Sequence, residues 1–72
     1  MNVGDVRTSE NGDNILIIKT DGTDFGYPIE YKVLTQLNKG KIYSWTEYLI
    51  RINYPIFNKK LTDQQIIKDI IE

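Results

Sequence analysis

Four consecutive aliphatic residues, Ile15-Leu16-Ile17-Ile18, sit between two turn-forming segments, and this limits the chain more than any other feature. Asn11-Gly12 lies upstream, a dipeptide that tolerates positive φ and favours tight hairpins. Asp21-Gly22-Thr23-Asp24 lies downstream and reads as a turn by composition. Asn14 to Thr20 is therefore read as a strand. Successive side chains of a strand point to opposite faces, so this one is apolar on both and belongs in the middle of a sheet, covered on each side. Val3 to Thr8 alternates more weakly and is read as the strand before it.

The segment Tyr27 to Leu37 admits two readings. As a strand it sets Ile29, Tyr31 and Val33 on one face and Glu30 and Lys32 on the other. As a helix it uses Pro28 as first residue, Glu30 in the first turn, Lys39 in the last and Gly40 as the stop. Strict alternation and the β-favouring Tyr31 and Val33 select the strand. Leu37-Asn38-Lys39-Gly40 then becomes a hairpin loop and Lys41 to Thr46 the returning strand. Here too a helix competes. Ser44-Trp45-Thr46-Glu47 has the spacing of a capping box, and Trp45, Tyr48, Leu49 and Ile52 fall on one helical face. A strand to about Ser44 and a short helix to Asn53 stays open as the alternative, ended by Pro55.

The last segment predicts a helix over about 62–72. Thr62 suits the N-cap, Gln65 supplies the capping-box partner and Asp63 favours the helix N-terminus. Ile66, Ile67, Ile70 and Ile71 make one apolar stripe. A helix this short does not hold in water unaided, so it must dock. Asp69 and Glu72 oppose the helix dipole, so packing has to dominate. The stripe closes the protein's own core, or Ile67, Ile70 and Ile71 pair it with a second copy, leaving monomer or homodimer.

Seventy-two residues allow one domain, residues 1–72, and 40% hydrophobic content argues for a core and against disorder. Nine Lys and Arg against ten Asp and Glu give a net charge of −1. That is too neutral for a dedicated nucleic-acid binder and for an acidic mimic of DNA. The first thirteen residues are polar, so no signal peptide is expected. The aliphatic run is far below the roughly 20 residues that span a bilayer. A cytoplasmic location is expected, and the absence of Cys fits it.

Residues 3–20, V-G-D-V-R-T-S-E-N-G-D-N-I-L-I-I-K-T, resemble the opening of small SH3-like barrels of bacteria and phages. In those proteins a G-D-[VI] strand leads through a polar turn to a hydrophobic second strand. Y-P-I-E-Y-K-V and K-I-Y-S-W-T are similar to the next two strands of such barrels. The resemblance spans residues 3–46 and implies a binding or accessory module; it carries over no functional residues.

Chemistry is thinly supplied. His and Cys are both absent, which removes the commonest general base, the commonest metal ligand and the thiolate nucleophile. Ser9 and Ser44 lack a nucleophile-elbow context. Asp13, Asp21 and Asp24 lie near turns, where Asp is an ordinary turn former, and they do not follow the EF-hand pattern. Gly22-Thr23-Asp24-Phe25-Gly26 lacks the Lys of a phosphate loop. No enzyme, metal or cofactor is expected. The rings are more telling. Seven of the eight aromatics fall between Phe25 and Tyr54. A domain this small cannot hide them all, and Tyr and Trp are the residues that anchor interfaces.

These readings predict an α+β fold, a small antiparallel β-sheet or SH3-like barrel with a C-terminal α-helix. The expected function is a non-enzymatic protein–protein interaction module that binds through Tyr31, Tyr43, Trp45 and Tyr48 with Lys32 and Lys41. Twelve Ile, seven Lys and six Asn beside no Ala suggest an AT-rich coding sequence. From this comes the further expectation of a phage or mobile-element protein that binds and inhibits a host or defence complex. The alternative is a nucleic-acid-binding SH3-like or OB-like barrel, with rings stacking bases and lysines tracking the backbone. Net charge, Glu30 and Glu47 stand against it.

Overall fold

The computed structural model describes residues 1–22, 26–35 and 37–71, without the side chains of residues 67 and 69–71. Five strands and two helices follow in the order β1 (Asp5–Thr8), β2 (Asn14–Lys19), β3 (Ile29–Val33), β4 (Ile42–Trp45), α1 (Glu47–Asn53), β5 (Ile56–Lys60) and α2 (Asp63–Ile71). The strands form one antiparallel sheet in the order β4-β3-β2-β1-β5. The class is α+β, a five-stranded antiparallel sheet with short helices.

The central strand is the one the aliphatic run predicts. Ile15, Leu16 and Ile17 of β2 are all 0% exposed, so both of its faces are covered. Ile15 and Ile17 pack with Ile29, Tyr31 and Ile50. Leu16 points the other way and packs with Val6, Leu61 and Ile66. The molecule thus has two small cores, one on each side of a single sheet. α1 covers the first through Ile50, and the residues after β5 cover the second. Gly4 sits where this second cover comes closest. Its φ is +95°, and a Cβ there would stand 2.7 Å from Ile66 Cδ1. Its carbonyl accepts from the Leu61 amide at 2.9 Å.

Both turns of the meander follow their local chemistry. The Ser9 amide donates to the Asp13 carbonyl at 2.8 Å, and Gly12 takes φ +87° to close the β1–β2 hairpin. Gly40, at φ +89°, closes β3–β4 by donating to the Val33 carbonyl at 2.8 Å. Residues 27–37 therefore contain a strand, and the helix alternative falls away. Thr23 and Asp24 of the expected turn after β2 lie outside the described residues.

Three features depart from the expectations. Ser44 does not cap a helix; it lies within β4, opposite Glu30. The N-cap is Thr46, whose Oγ1 accepts from the Leu49 amide at 3.1 Å. Glu47 is bound elsewhere, to the Met1 ammonium at 3.1 Å and the Arg51 guanidinium at 3.5 Å. The Met1 hydrogen bond and charge hold its carboxyl below the usual carboxylate range. The predicted apolar face of this helix is also displaced. Ile50 is the buried residue of α1, while Tyr48 is 73% exposed and Ile52 also points to solvent. Finally, β5 has no counterpart in the sequence pattern. All five of its residues are exposed, and it is held by its ladder to β1.

A buried cation fixes the joint between α1 and β5. Arg7 is 7% exposed. Its Nε donates to the Tyr54 carbonyl at 2.9 Å and its Nη2 to the Pro55 carbonyl at 3.2 Å. These two carbonyls end a helix and precede a strand, so neither has a full set of local partners. At the far end, the Thr62 amide donates to Gln65 Oε1 at 2.9 Å and the Gln65 amide to Thr62 Oγ1 at 3.3 Å. This is the reciprocal pair expected from their spacing. The expected pairing surface of Ile67, Ile70 and Ile71, and the acidic side chains of Asp69 and Glu72, lie outside the described residues.

Candidate functional site

The register of β3 and β4 gathers the rings. Tyr31 stands opposite Tyr43, and Ile29 opposite Trp45. Two-residue alternation then puts Tyr31, Tyr43 and Trp45 on the same face of the sheet. Tyr54 arrives from a different element. It is the C-cap of α1, and its amide donates to the Ile50 carbonyl at 2.7 Å. Its ring turns in over β3. Tyr31 is the hub, with ring centroids 5.9 Å from Tyr43, 6.4 Å from Trp45 and 6.1 Å from Tyr54. The planes are tilted by 36°, 33° and 53° to that of Tyr31, so the rings do not stack in parallel.

These rings wall an open hollow of about 420 Å³. Val33, Thr35, Leu37, Asn38 and Asp13 complete the wall, and Asp13 is the one charged residue among the described residues that line it. The hairpin turn holds Asp13 in place, since its own amide donates to Ser9 Oγ at 3.0 Å. One carboxylate oxygen, Oδ1, is sealed from solvent and has no hydrogen-bond partner. A buried, unpartnered polar atom of this kind is costly and uncommon. Burial pushes the Tyr31 phenol above its ordinary value, with further upward pressure from Tyr54 and Tyr43. Burial raises the Tyr54 phenol too, and the Asp13 carboxylate adds to it. Both stay neutral at physiological pH.

Of the six residues expected to bind a partner, the structure brings together three: Tyr31, Tyr43 and Trp45. Tyr48 lies on the outward side of α1, away from the hollow. Lys32 follows Tyr31 in β3 and so falls on the opposite face, between Leu16 and Ile42. Lys41 is exposed in the turn before β4, its amide donating to the Asn38 carbonyl at 3.0 Å. The lysines therefore flank the β3–β4 hairpin without lining the hollow.

Sequence reasoning missed Asp13 and Tyr54 as site residues. Asp13 reads as a turn former, and Tyr54 as one more ring in a cluster. Nothing in their spacing signals that the first hairpin and the end of α1 meet over β3. Asp24, one of the three turn acids, lies outside the described residues. Among the described residues there is no group of three His, Cys, Asp or Glu placed to hold a metal. No described helix is long and apolar enough to cross a membrane. Compared with known families, with curated proteins and with solved structures, the chain matches none of them.

Proposed function

We propose that this chain is a protein–protein interaction module, without chemistry of its own, and that its contact face is the ring-walled hollow on β3 and β4. The observation that carries the reading is the convergence of Tyr31, Tyr43, Trp45 and Tyr54 around one concavity. Large, rigid rings with a polar tip are the side chains that anchor interfaces in well-packed pockets. Five short antiparallel strands, with β5 carried back beside β1, support a relationship to the small SH3-like barrels. Inhibition of a host or defence complex by a phage or mobile-element protein remains the role that residue usage suggests. The nucleic-acid reading loses ground on charge. An acid lines the hollow while Lys32 and Lys41 do not, which disfavours phosphate.

Tyr43 is the residue to change, being 40% exposed and at an edge of the cluster. Tyr43→Ala is expected to keep the circular dichroism spectrum and most of the thermal stability while losing proteins captured from the native host. A Tyr43→Ala protein that folds and captures the same proteins as the unaltered chain overturns the proposal. If Tyr43→Ala unfolds, Tyr43→Ser and Tyr43→Lys test the same position. Oligonucleotide binding that weakens steeply with added salt would favour the nucleic-acid alternative instead.

A further inference from the structure

The hollow has a feature that a purely apolar contact face does not need. Asp13 Oδ1 is buried in its neighbourhood with no donor reaching it from the described residues. Three phenol rings and one indole share the lining of the hollow with Asp13, beside Val33, Thr35, Leu37 and Asn38. Aromatic faces are electronegative, and rings near a carboxylate together make a site for a cation. A positive group placed in the hollow gains from both sources. With Oδ1 sealed from solvent, the Asp13 carboxylate offers the hollow at most one oxygen, which suits a compact ammonium. A guanidinium fork is matched by two acceptors in one plane. The volume, about 420 Å³, accommodates an ammonium with its methylene stem or with methyl substituents.

We propose that the hollow receives an ammonium-bearing side chain, lysine or its N-methylated form, from a protein partner, with Asp13 as the counter-charge. This rests on the reading that the hollow is the contact face for a protein. Chain geometry supports it. The hollow is open, so a side chain enters from outside while the partner backbone stays at the rim.

The only Trp of the chain is Trp45, in the wall of the hollow, so intrinsic fluorescence reports occupancy directly. Three probes separate the terms: N-acetyl-lysine methylamide, its trimethyl-lysine form, and N-acetyl-norleucine methylamide, which keeps the stem without the charge. Saturable changes in Trp45 emission are expected with both cationic probes, at affinities about tenfold or more above norleucine. In Asp13→Asn this preference should collapse for lysine and shrink for trimethyl-lysine, where the rings still act. Norleucine binding as tightly as lysine to the unaltered protein overturns the ammonium proposal and leaves the ring-walled contact face standing. An Asp13→Asn protein that still prefers lysine removes Asp13 from the account. No response to any probe overturns the ammonium proposal, and together with partner capture insensitive to Tyr43→Ala it sinks the contact face as well. The comparison of charged and neutral probes on the unaltered chain needs no variant, so it holds even if Asp13→Asn fails to fold.

Discussion

Arg7 shows how much one side chain can carry in a molecule of this size. Its guanidinium is buried and spends its hydrogen bonds on the carbonyls of Tyr54 and Pro55. Arg7→Met keeps much of the bulk and removes both donors. Two carbonyls left without partners cost about 1–3 kcal/mol each where they are shielded from water. A loss of about 3 kcal/mol in urea unfolding is therefore expected, with Arg7→Lys recovering part of it. The same change should loosen Tyr54, whose ring that joint positions, so Trp45 emission should shift as well. The phenols give a second residue-scale expectation. Tyr31 and Tyr54 have folded pKa values raised mainly by burial. Their neutral forms favour the fold, so their contribution is whole below the unfolded value of about 10. It is lost as pH rises through the higher folded values. The urea midpoint should therefore fall as pH rises above about 10, and less steeply in a Tyr31→Phe/Tyr54→Phe protein.

At the scale of elements, α1 tests which hydroxyl begins a helix. Ser44 and Thr46 both precede it, and only Thr46 accepts from the first turn. Thr46→Ala should cost about 1 kcal/mol, and Ser44→Ala less than about 0.5 kcal/mol, in thermal or urea unfolding. The misreading has a physical cause. Ser44 has capping-box spacing to Glu47, but the β3–β4 ladder holds it opposite Glu30 and delays the helix by two residues. By contrast, β2 was legible because its burial is written into its own residues, and β3 because Ile29, Tyr31 and Val33 alternate with Glu30 and Lys32. β5 was not legible. Ile56 to Lys60 neither alternates cleanly nor buries anything, and its support comes from pairing with β1, some fifty positions away in the chain. The hollow was half legible for the same reason. Register along one hairpin brings Tyr31, Tyr43 and Trp45 together, whereas Asp13 and Tyr54 reach them only through tertiary packing.

For the molecule as a whole, the decisive property is that two small cores share one central strand. Neither is large, and each is closed by a different part of the chain, so damage to one cover is felt through β2. Gly4 is the sharpest probe of the second cover. Its positive φ strains any L side chain, and a Cβ there would crowd Ile66 Cδ1 at 2.7 Å and the Leu61 carbonyl oxygen at 3.2 Å. Gly4→Ala should cost about 1–3 kcal/mol, seen as a lowered melting temperature. The sheet also ends in β5, a strand with no neighbour on one side among the described residues and with Ile56 and Phe57 half open to solvent. Such an edge is a template on which further copies could stack into fibrils. Lys59 and Lys60 at its end are expected to oppose this, because in-register stacking would align each with its own image. Salt near 1 M shortens the screening length to about 3 Å and should weaken that guard. Thioflavin fluorescence should accordingly grow faster at high salt, and faster still when both lysines become Gln, making this charge pair what keeps the protein dispersed.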